Sequence, residues 1–454
     1  MAGLPFIDGV AAERPALMDD SDASWLSYGE LAELAHGWAS RMSGPRGLVF
    51  QYIRNDNNSV AALVGALSAG HAVALFDPNL MQGVRADLEK TYRPTWIVGP
   101  DPDLLKHAGG QGPLHPNLAV LLSTSGSTGS AKLVRLTLSS IHANAAGIGE
   151  VLHIGADDVA AGYLPLHYSY GLSVLTSHLA RGARVRLTEM GMTDRGFWQA
   201  MREAAISHMP GVPFHYQIML KLGLKRLQLP SLRTLTQAGG ALDTDLRRRV
   251  HEFMQTTGGR FFVLYGQTEA APRMTTLQHE DFSAAPRSVG NPLPGCRIEI
   301  REPDASGHGE VVFYGPNVML GYAQSRAELA AGDEMGGCLP TGDCGFLDSA
   351  GRLTLTGRVK RMGKLFGLRV NLDEIEMLTN KTGVTAVTQA ADTLIIHIET
   401  TDDAAADEAL QLSILTQLKE RFTVPPTSYR CRLVPKIPRT ERGKVDYPAL
   451  EAQA

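Results

Sequence analysis

Five short segments bring together residue types that chemistry needs. The first is Ser123-Thr124-Ser125-Gly126-Ser127-Thr128-Gly129-Ser130-Ala131-Lys132, directly after an apolar run at 118–123. Glycines let successive backbone N–H groups converge on an anion with no Cβ in the way. The hydroxyls add donors and Lys132 adds a compact positive charge, so the composition suits a grip on phosphate. The pattern G-x-x-x-x-G-K-[ST] is not met, so it is not a Walker A loop. The bland alternative is a flexible Ser/Gly linker, but a linker needs no strand before it and no lysine at its end. The second segment is Tyr265-Gly266-Gln267-Thr268-Glu269, after a run at 261–264. Tyr265 could stack on a base and Glu269 could hold Mg²⁺ through oxygen; an ordinary turn explains the segment equally well. The third, Thr341-Gly342-Asp343, offers a carboxylate to a ribose diol, though such tripeptides are common turns. The fourth is the basic run 357–370, with Arg358, Lys360, Lys364 and Gly367, which also reads as a solvated face. The fifth, Pro438-Arg439-Thr440-Glu441-Arg442-Gly443-Lys444, ends on a lysine that, taken alone, is an exposed solvated residue.

The elements around these segments alternate. Leu31, Leu34, Ala35 and Trp38 have helical spacing over 31–42; further helices are expected at 59–69 and 243–255. Strands are expected at 47–53, 71–76, 118–123, 184–188 and 261–264. Such alternation predicts an α/β architecture with covered sheets. From about 290 the texture changes to short strands punctuated by Gly and Pro, at 297–300, 309–314 and 352–356, which predicts a small β-rich subdomain. Beyond 361 a helix at 373–379, strands at 384–388 and 393–399, and a strand at 429–434 predict a small α+β domain. Its second helix carries Leu410, Ile414, Leu418 and Phe422 at steps of four. The expected division is a large N-terminal domain of layered α/β sheets over 1–357, with its β-rich subdomain at about 290–357. A C-terminal domain follows over 361–454, with a linker near 358–361.

The bulk composition excludes some functions. The chain has 454 residues, 44% hydrophobic and 20% charged, enough for a large core. Lys plus Arg total 43 and Asp plus Glu 47, a formal charge of -4 that leaves no basic excess for nucleic acid. The cysteines Cys296, Cys338, Cys344 and Cys431 form no CxxC pair, which argues against a zinc site and for a reducing, cytoplasmic compartment. The first ten residues lack the pattern of a secretory signal. The most apolar stretch, 60–76, is broken by Ser68, Gly70 and His71, so it predicts a helix and a strand rather than a membrane span.

The five segments, in this order and spacing, resemble the adenylate-forming superfamily of acyl- and aryl-CoA synthetases, peptide-synthetase adenylation domains and firefly luciferase. The resemblance covers about 31–450. It implies that Thr124, Ser125, Gly126, Ser127, Thr128, Gly129 and Lys132 form a mobile loop over the ATP β- and γ-phosphates. It implies that Tyr265 and Gly266 lie near adenine, Thr268 toward the α-phosphate and Glu269 on Mg²⁺. Gly239, Gly240 and Ala241 resemble a glycine-rich strand lining the adenine and acyl pockets. Asp343 matches the ribose-binding aspartate, assisted by Arg358. Lys360 falls on the hinge of a mobile C-terminal domain, and Lys364 and Gly367 on the loop that meets the thiol acceptor. Lys444 matches the lysine bridging the acyl carboxylate and the α-phosphate. Ala131 and Leu133 stand where proline and glycine are usual, and the region before the phosphate loop is short for the family.

The same resemblance places the acid pocket at 164–172, with His167, Tyr168 and Gly171, and at Val212 and Ala270. Amino-acid-activating members carry an aspartate in the first of these segments; here no acid occurs between Ala160 and Arg186. Burying an unpaired ammonium is costly, so the expected substrate is a carboxylic acid without an α-amino group. His167 also reads as a packed, hydrogen-bonded histidine at the pocket edge. Arg273 reads as an outward-facing salt-bridge arginine, with pairing to a second substrate carboxylate as the other reading. The implied reaction uses ATP and Mg²⁺ to form an acyl adenylate, then transfers the acyl group to CoA. The alternative acceptor is the phosphopantetheine of an acyl carrier protein; the remote alternative is a catalytically silent nucleotide-binding protein.

Overall fold

The computed structural model describes residues 3–99, 105–123, 132–365, 368–380, 382–390, 393–401, 403–421, 428–440 and 445–452. The apolar runs that precede glycine or helix caps become parallel strands buried on both faces, as continuous Val/Leu/Phe stretches require. Leu48–Tyr52 and Ala72–Phe76 are buried at every residue and pair in parallel. The helix between them, Asn57–Ser68, starts where the Asp56 carboxylate accepts from the Ser59 amide at 2.6 Å. Its Gly65 faces helix Tyr28–Arg41 so closely that a Cβ there would collide with the Ala35 carbonyl.

Two large sheets result. A seven-stranded sheet runs Gly321–Ala323, Leu133–Thr137, Leu118–Ser123, Ala72–Phe76, Leu48–Tyr52, Trp96–Val98, Leu105–His107. A nine-stranded sheet runs Asn291–Pro292, Arg273–Leu277, Arg260–Gly266, Thr234–Gln237, His208–Gly211, Val159–Gly162, Arg184–Leu187, Pro15–Met18, Leu26–Ser27. A four-stranded sheet occupies the region expected to be β-rich, with strands Arg297–Arg301, Gly309–Tyr314, Cys338–Leu347 and Leu353–Arg358. The fold is therefore mixed α/β with several sheets.

Near the C-terminus, Thr385–Ala390, Thr393–Glu399 and Tyr429–Val434 form a three-stranded sheet. Ile375 of helix Leu372–Thr379, and Ile414 and Leu418 of helix Ala404–Arg421, pack on it with Val387, Ile396 and Ile398. Phe422 lies outside the described residues. Within the basic run 357–370, Met362–Leu365 and Leu368–Asn371 pair antiparallel, with Lys364 opposite Arg369. Pairing between strands leaves no periodic mark in so short a run.

By compactness the chain forms two units. One comprises Met1–Glu299, Val312–Leu339 and Asp348–Leu353, the other Ile300–Val311, Pro340–Leu347 and Thr354–Ala454. No described helix is long and apolar enough to cross a membrane. None of the four cysteines is in a disulfide.

The first unit buries histidines in neutral form. Burial lowers the pKa of His178 and of His215 to about 4, from an ordinary 6.5. In the unfolded chain both titrate near 6.5, so the unfolded state binds more protons once pH falls below that value. Stability present above pH 6.5 is lost progressively toward pH 4. Thermal melts across this range should show a falling melting temperature, and His178→Leu with His215→Leu should flatten the slope.

Candidate functional site

The strand Arg260–Gly266 ends on a glycine because the chain turns back at once: a Cβ on Gly266 would collide with the Pro272 carbonyl. A single turn, Thr268–Ala270, follows, and Arg273–Leu277 returns antiparallel. Two buried asparagines clamp this turn. Asn317 Nδ2 donates to the Ala270 carbonyl at 2.6 Å and to the Arg273 carbonyl at 2.9 Å. Asn144 Nδ2 donates to the Arg273 carbonyl at 2.8 Å, and its Oδ1 accepts from the Arg273 amide at 3.3 Å. The Met319 amide donates to the Glu269 carbonyl at 2.9 Å. Thr268 and Glu269 thus stand on backbone fixed from two other elements.

The Glu269 side chain is held as well. Tyr322 OH donates to Glu269 Oε1 at 2.8 Å, and Lys132 Nζ sits 3.5 Å from the centroid of the same Tyr322 ring. That distance is a cation–π contact. Tyr322 reaches this position because Gly321–Ala323 pairs with Leu133–Thr137, placing Tyr322 opposite Val134. Burial, and then the Glu269 charge, push the Tyr322 phenol well above its usual range, so it remains a donor. The Glu269 carboxylate is an oxygen donor of the kind Mg²⁺ takes. Among the described residues no cluster of three or more His, Cys, Asp and Glu could hold a metal. A cation at Glu269 would fill its shell from phosphate and water, which is how Mg²⁺ is commonly bound.

The expected acid-pocket segment 164–172 touches the same turn through Ser169. Thr268 Oγ1 lies 3.0 Å from Ser169 Oγ, at the start of helix Ser169–Leu179. Gly239 has φ +79°, and a Cβ on it would lie 2.7 Å from Tyr168 OH and 3.0 Å from Val212 Cγ1. Tyr168, Val212 and Gly239 therefore meet, and Gly240 packs beside Pro213. Gly239, Gly240 and Ala241 are not strand, as expected, but an exposed bend after strand Thr234–Gln237, because a positive φ cannot continue a strand. A Cβ on Gly171 would strike the Pro165 carbonyl, and Ala270 is buried. His167 Nε2 lies 3.8 Å from Asp77 Oδ2, so a carboxylate stands beside this segment that a search along 160–186 does not find. Arg273 does not face outward: it is 3% exposed on the return strand.

In the second unit, Asp343 is buried and its Oδ1 accepts from Arg358 Nε at 3.0 Å. Thr341 Oγ1 accepts from the Asp343 amide at 3.0 Å and donates to the Val311 carbonyl at 2.7 Å. Gly342 between them takes φ +69°, which favours glycine. The Arg358 amide donates to Asp373 Oδ2 at 3.0 Å. Lys360 lies on the short turn Val359–Arg361; its neighbour Arg361 pairs with Asp373 at 2.7 Å and Glu376 at 2.9 Å. Lys364 lies on strand Met362–Leu365. Thr124, Ser125, Gly126, Ser127, Thr128 and Gly129, with Gly367 and Lys444, fall outside the described residues. The flanks of two of these segments are paired: Ser123 with Leu133, and Arg439 with Val445.

The sequence reading missed Asn144, Asn317, Ser169 and Tyr322. Each acts on a residue distant in the chain; Ser169 lies in the segment 164–172 already assigned to the acid pocket, and the other three lie in no pattern that marks them.

A family model described as AMP-binding enzyme matches residues 86–323, more than half of the chain, and the chain belongs to that family. An isonitrile lipopeptide synthase from Streptomyces coeruleorubidus is 26% identical over 94% of this chain and 31% of its own length. An oxalate–CoA ligase from Arabidopsis thaliana is 30% identical over 57% of this chain and 51% of its own length. The chain thus spans about a third to a half of these curated relatives. An o-succinylbenzoate CoA synthetase from Bacillus subtilis, solved with its acyl-adenylate intermediate, shares the fold at a TM-score of 0.78. That match has 20% identity and covers 97% of this chain and 95% of that one.

Asn317→Ala should remove both bonds to the 270–273 backbone and leave buried carbonyls without that donor. The expected cost is about 1–3 kcal/mol. Urea denaturation measures it, and AMP binding by calorimetry should weaken in parallel.

Proposed function

We propose that the chain uses ATP to activate a carboxylic acid lacking an α-amino group, releases pyrophosphate, and passes the acyl group from the adenylate to the thiol of CoA. The observation that carries this reading is the Lys132–Tyr322–Glu269 arrangement beside Thr268, in a chain of the AMP-binding family. A lysine, a carboxylate and a hydroxyl held together are what a polyphosphate and its cation need. Relatives named as CoA ligases for oxalate and 2-succinylbenzoate support CoA as the acceptor. The peptide-synthetase relatives, one aligned over 94% of this chain, support the second reading, delivery to a carrier-protein phosphopantetheine. We assign the ATP- and acid-binding domain to 1–357 and the second domain to 361–454, with the hinge at 358–361.

Both reactants of the first step are anions, so positioning and positive charge supply most of the catalysis. The acid carboxylate oxygen forms a bond to the α-phosphorus as the bond to pyrophosphate breaks. The 124–132 loop holds the β- and γ-phosphates, Thr268 the α-phosphate, Tyr265 the adenine, and Asp343 with Arg358 the ribose. Mg²⁺ bound at Glu269 supplies neutralisation of phosphate charge. Lys444 bridges the carboxylate and the α-phosphate in this step. In the second step a thiol attacks the acyl carbon and AMP departs. Lys444 would obstruct that attack, so Lys360 as hinge, and Lys364 and Gly367 at the thiol channel, serve the second step.

Acid-dependent exchange of labelled pyrophosphate into ATP, across a panel that includes α-amino acids, tests the reading. Exchange with amino acids alone overturns the acid class; no exchange with any acid supports a silent nucleotide-binding protein. Free CoA against a phosphopantetheinylated carrier then identifies the acceptor. Lys444→Ala should abolish adenylate formation and largely spare thioester formation from supplied acyl adenylate; equal loss of both contradicts the assigned role.

Tyr322→Phe keeps the ring under Lys132 and removes the bond to Glu269. A hydrogen bond to a charged group contributes about 1.5–3 kcal/mol, so the Mg²⁺ requirement should rise roughly ten- to hundredfold with little change in the KM for acid. A shift in acid KM alone would show that Tyr322 does not act through Glu269.

A further inference from the structure

A small interior cavity of the first unit lies between helices Leu138–Val151 and Ser169–Leu179 and the nine-stranded sheet. Ile148, Tyr170, Ser173, Val174, Thr236 and Arg273 line much of it. It leaves ≈ 20 Å³ for the centres of water-sized atoms, room for about one small polar group. Arg273 is the one residue among its lining that carries charge at neutral pH. Burial lowers its pKa only to about 10. Two histidines of the lining, His178 and His208, are held neutral by burial.

Two features of the guanidinium matter here. It is buried, and its Nη1 has no hydrogen-bond partner. Among the described residues no carboxylate pairs with it. A buried, uncompensated charge is costly, and a fold retains one where something else completes it. The protein offers the Tyr170 ring, 5.5 Å from the guanidinium carbon. Asn144 and Asn317 fix the Arg273 backbone, so its aim is set by rigid structure.

The cavity is also lined by the segments proposed to bind the acid. Tyr170, Pro210 and Thr236 line it. They lie on the same three segments as Tyr168, Val212 and Gly239, which meet at the side-chain position that Gly239 leaves empty. The guanidinium carbon lies 5.5 Å from the centroid of the Tyr170 ring, and that ring lies 6.3 Å from the ring of Tyr168 at the meeting point. From these observations, and resting on the function proposed above, we infer that the activated acid carries a second carboxylate, which Arg273 receives at the inner end of the pocket. The remote carboxylate forms charge-assisted bonds to the guanidinium while the other carboxylate attacks ATP. A monoacid of the same skeleton leaves the guanidinium unpaired. A site that loses such a bond discriminates by roughly 10²-fold or more.

Pyrophosphate release with matched acids tests this: butanoate against succinate, pentanoate against glutarate, benzoate against phthalate. In at least one pair the diacid should exceed the monoacid in kcat/KM by on the order of 10²-fold. Arg273→Met should erase that ratio, and Arg273→Lys should restore part of it. Monoacids preferred in every pair, or a ratio unmoved in Arg273→Met, would leave the cavity a water site and overturn the inference while the acid-activating reading stands. No release with any acid overturns both. If Arg273→Met fails to fold, the wild-type ratios and Arg273→Lys decide.

Discussion

The phenol of Tyr322 carries a lysine on its face and a carboxylate on its hydroxyl, and the rest of the site is arranged around that fact. Lys132 and Glu269 belong to segments far apart in the chain. Direct pairing of the two would neutralise both and spend the charges that a phosphate and a cation need. Because Tyr322 contacts both, one side chain fixes both positions. The strand Gly321–Ala323 exists at the edge of the seven-stranded sheet, where its pairing with Leu133–Thr137 delivers the ring.

The turn that bears Glu269 is equally constrained. Gly266 permits a reversal that any side chain would block, and Asn144 and Asn317 satisfy the backbone groups that the reversal strands in the interior. Buried carbonyls demand such partners. The same clamp fixes the backbone of Arg273 on the strand that returns from the turn. Asp343 in the second unit repeats the principle on a smaller scale: Thr341, Gly342 and Arg358 hold one buried carboxylate in place.

The motifs were legible because phosphate and nucleotide chemistry demands glycine, hydroxyl, lysine and carboxylate at short spacing. The strands at 118–123, 309–314, 393–399 and 429–434 match their expected bounds, since short apolar or alternating runs bounded by turns leave few other options. Arg273 was misread because an arginine among polar and apolar neighbours has no local mark of burial. The bend at Gly239 departs from the expected strand because its positive φ leaves no mark in the sequence.

By itself the sequence determined the alternation that makes an α/β fold and the motifs from which phosphate handling is proposed, since each rests on local composition or spacing. Tertiary structure alone decided which residues support them. Tyr322 reaches Glu269, Asn317 reaches Ala270, and Asp77 reaches His167 only because sheet pairing and loop closure bring distant segments within hydrogen-bond or charge range. The burial of Arg273 is of the same kind: whether a charge meets water or a cavity depends on what packs over it, and that is written in no single stretch of chain.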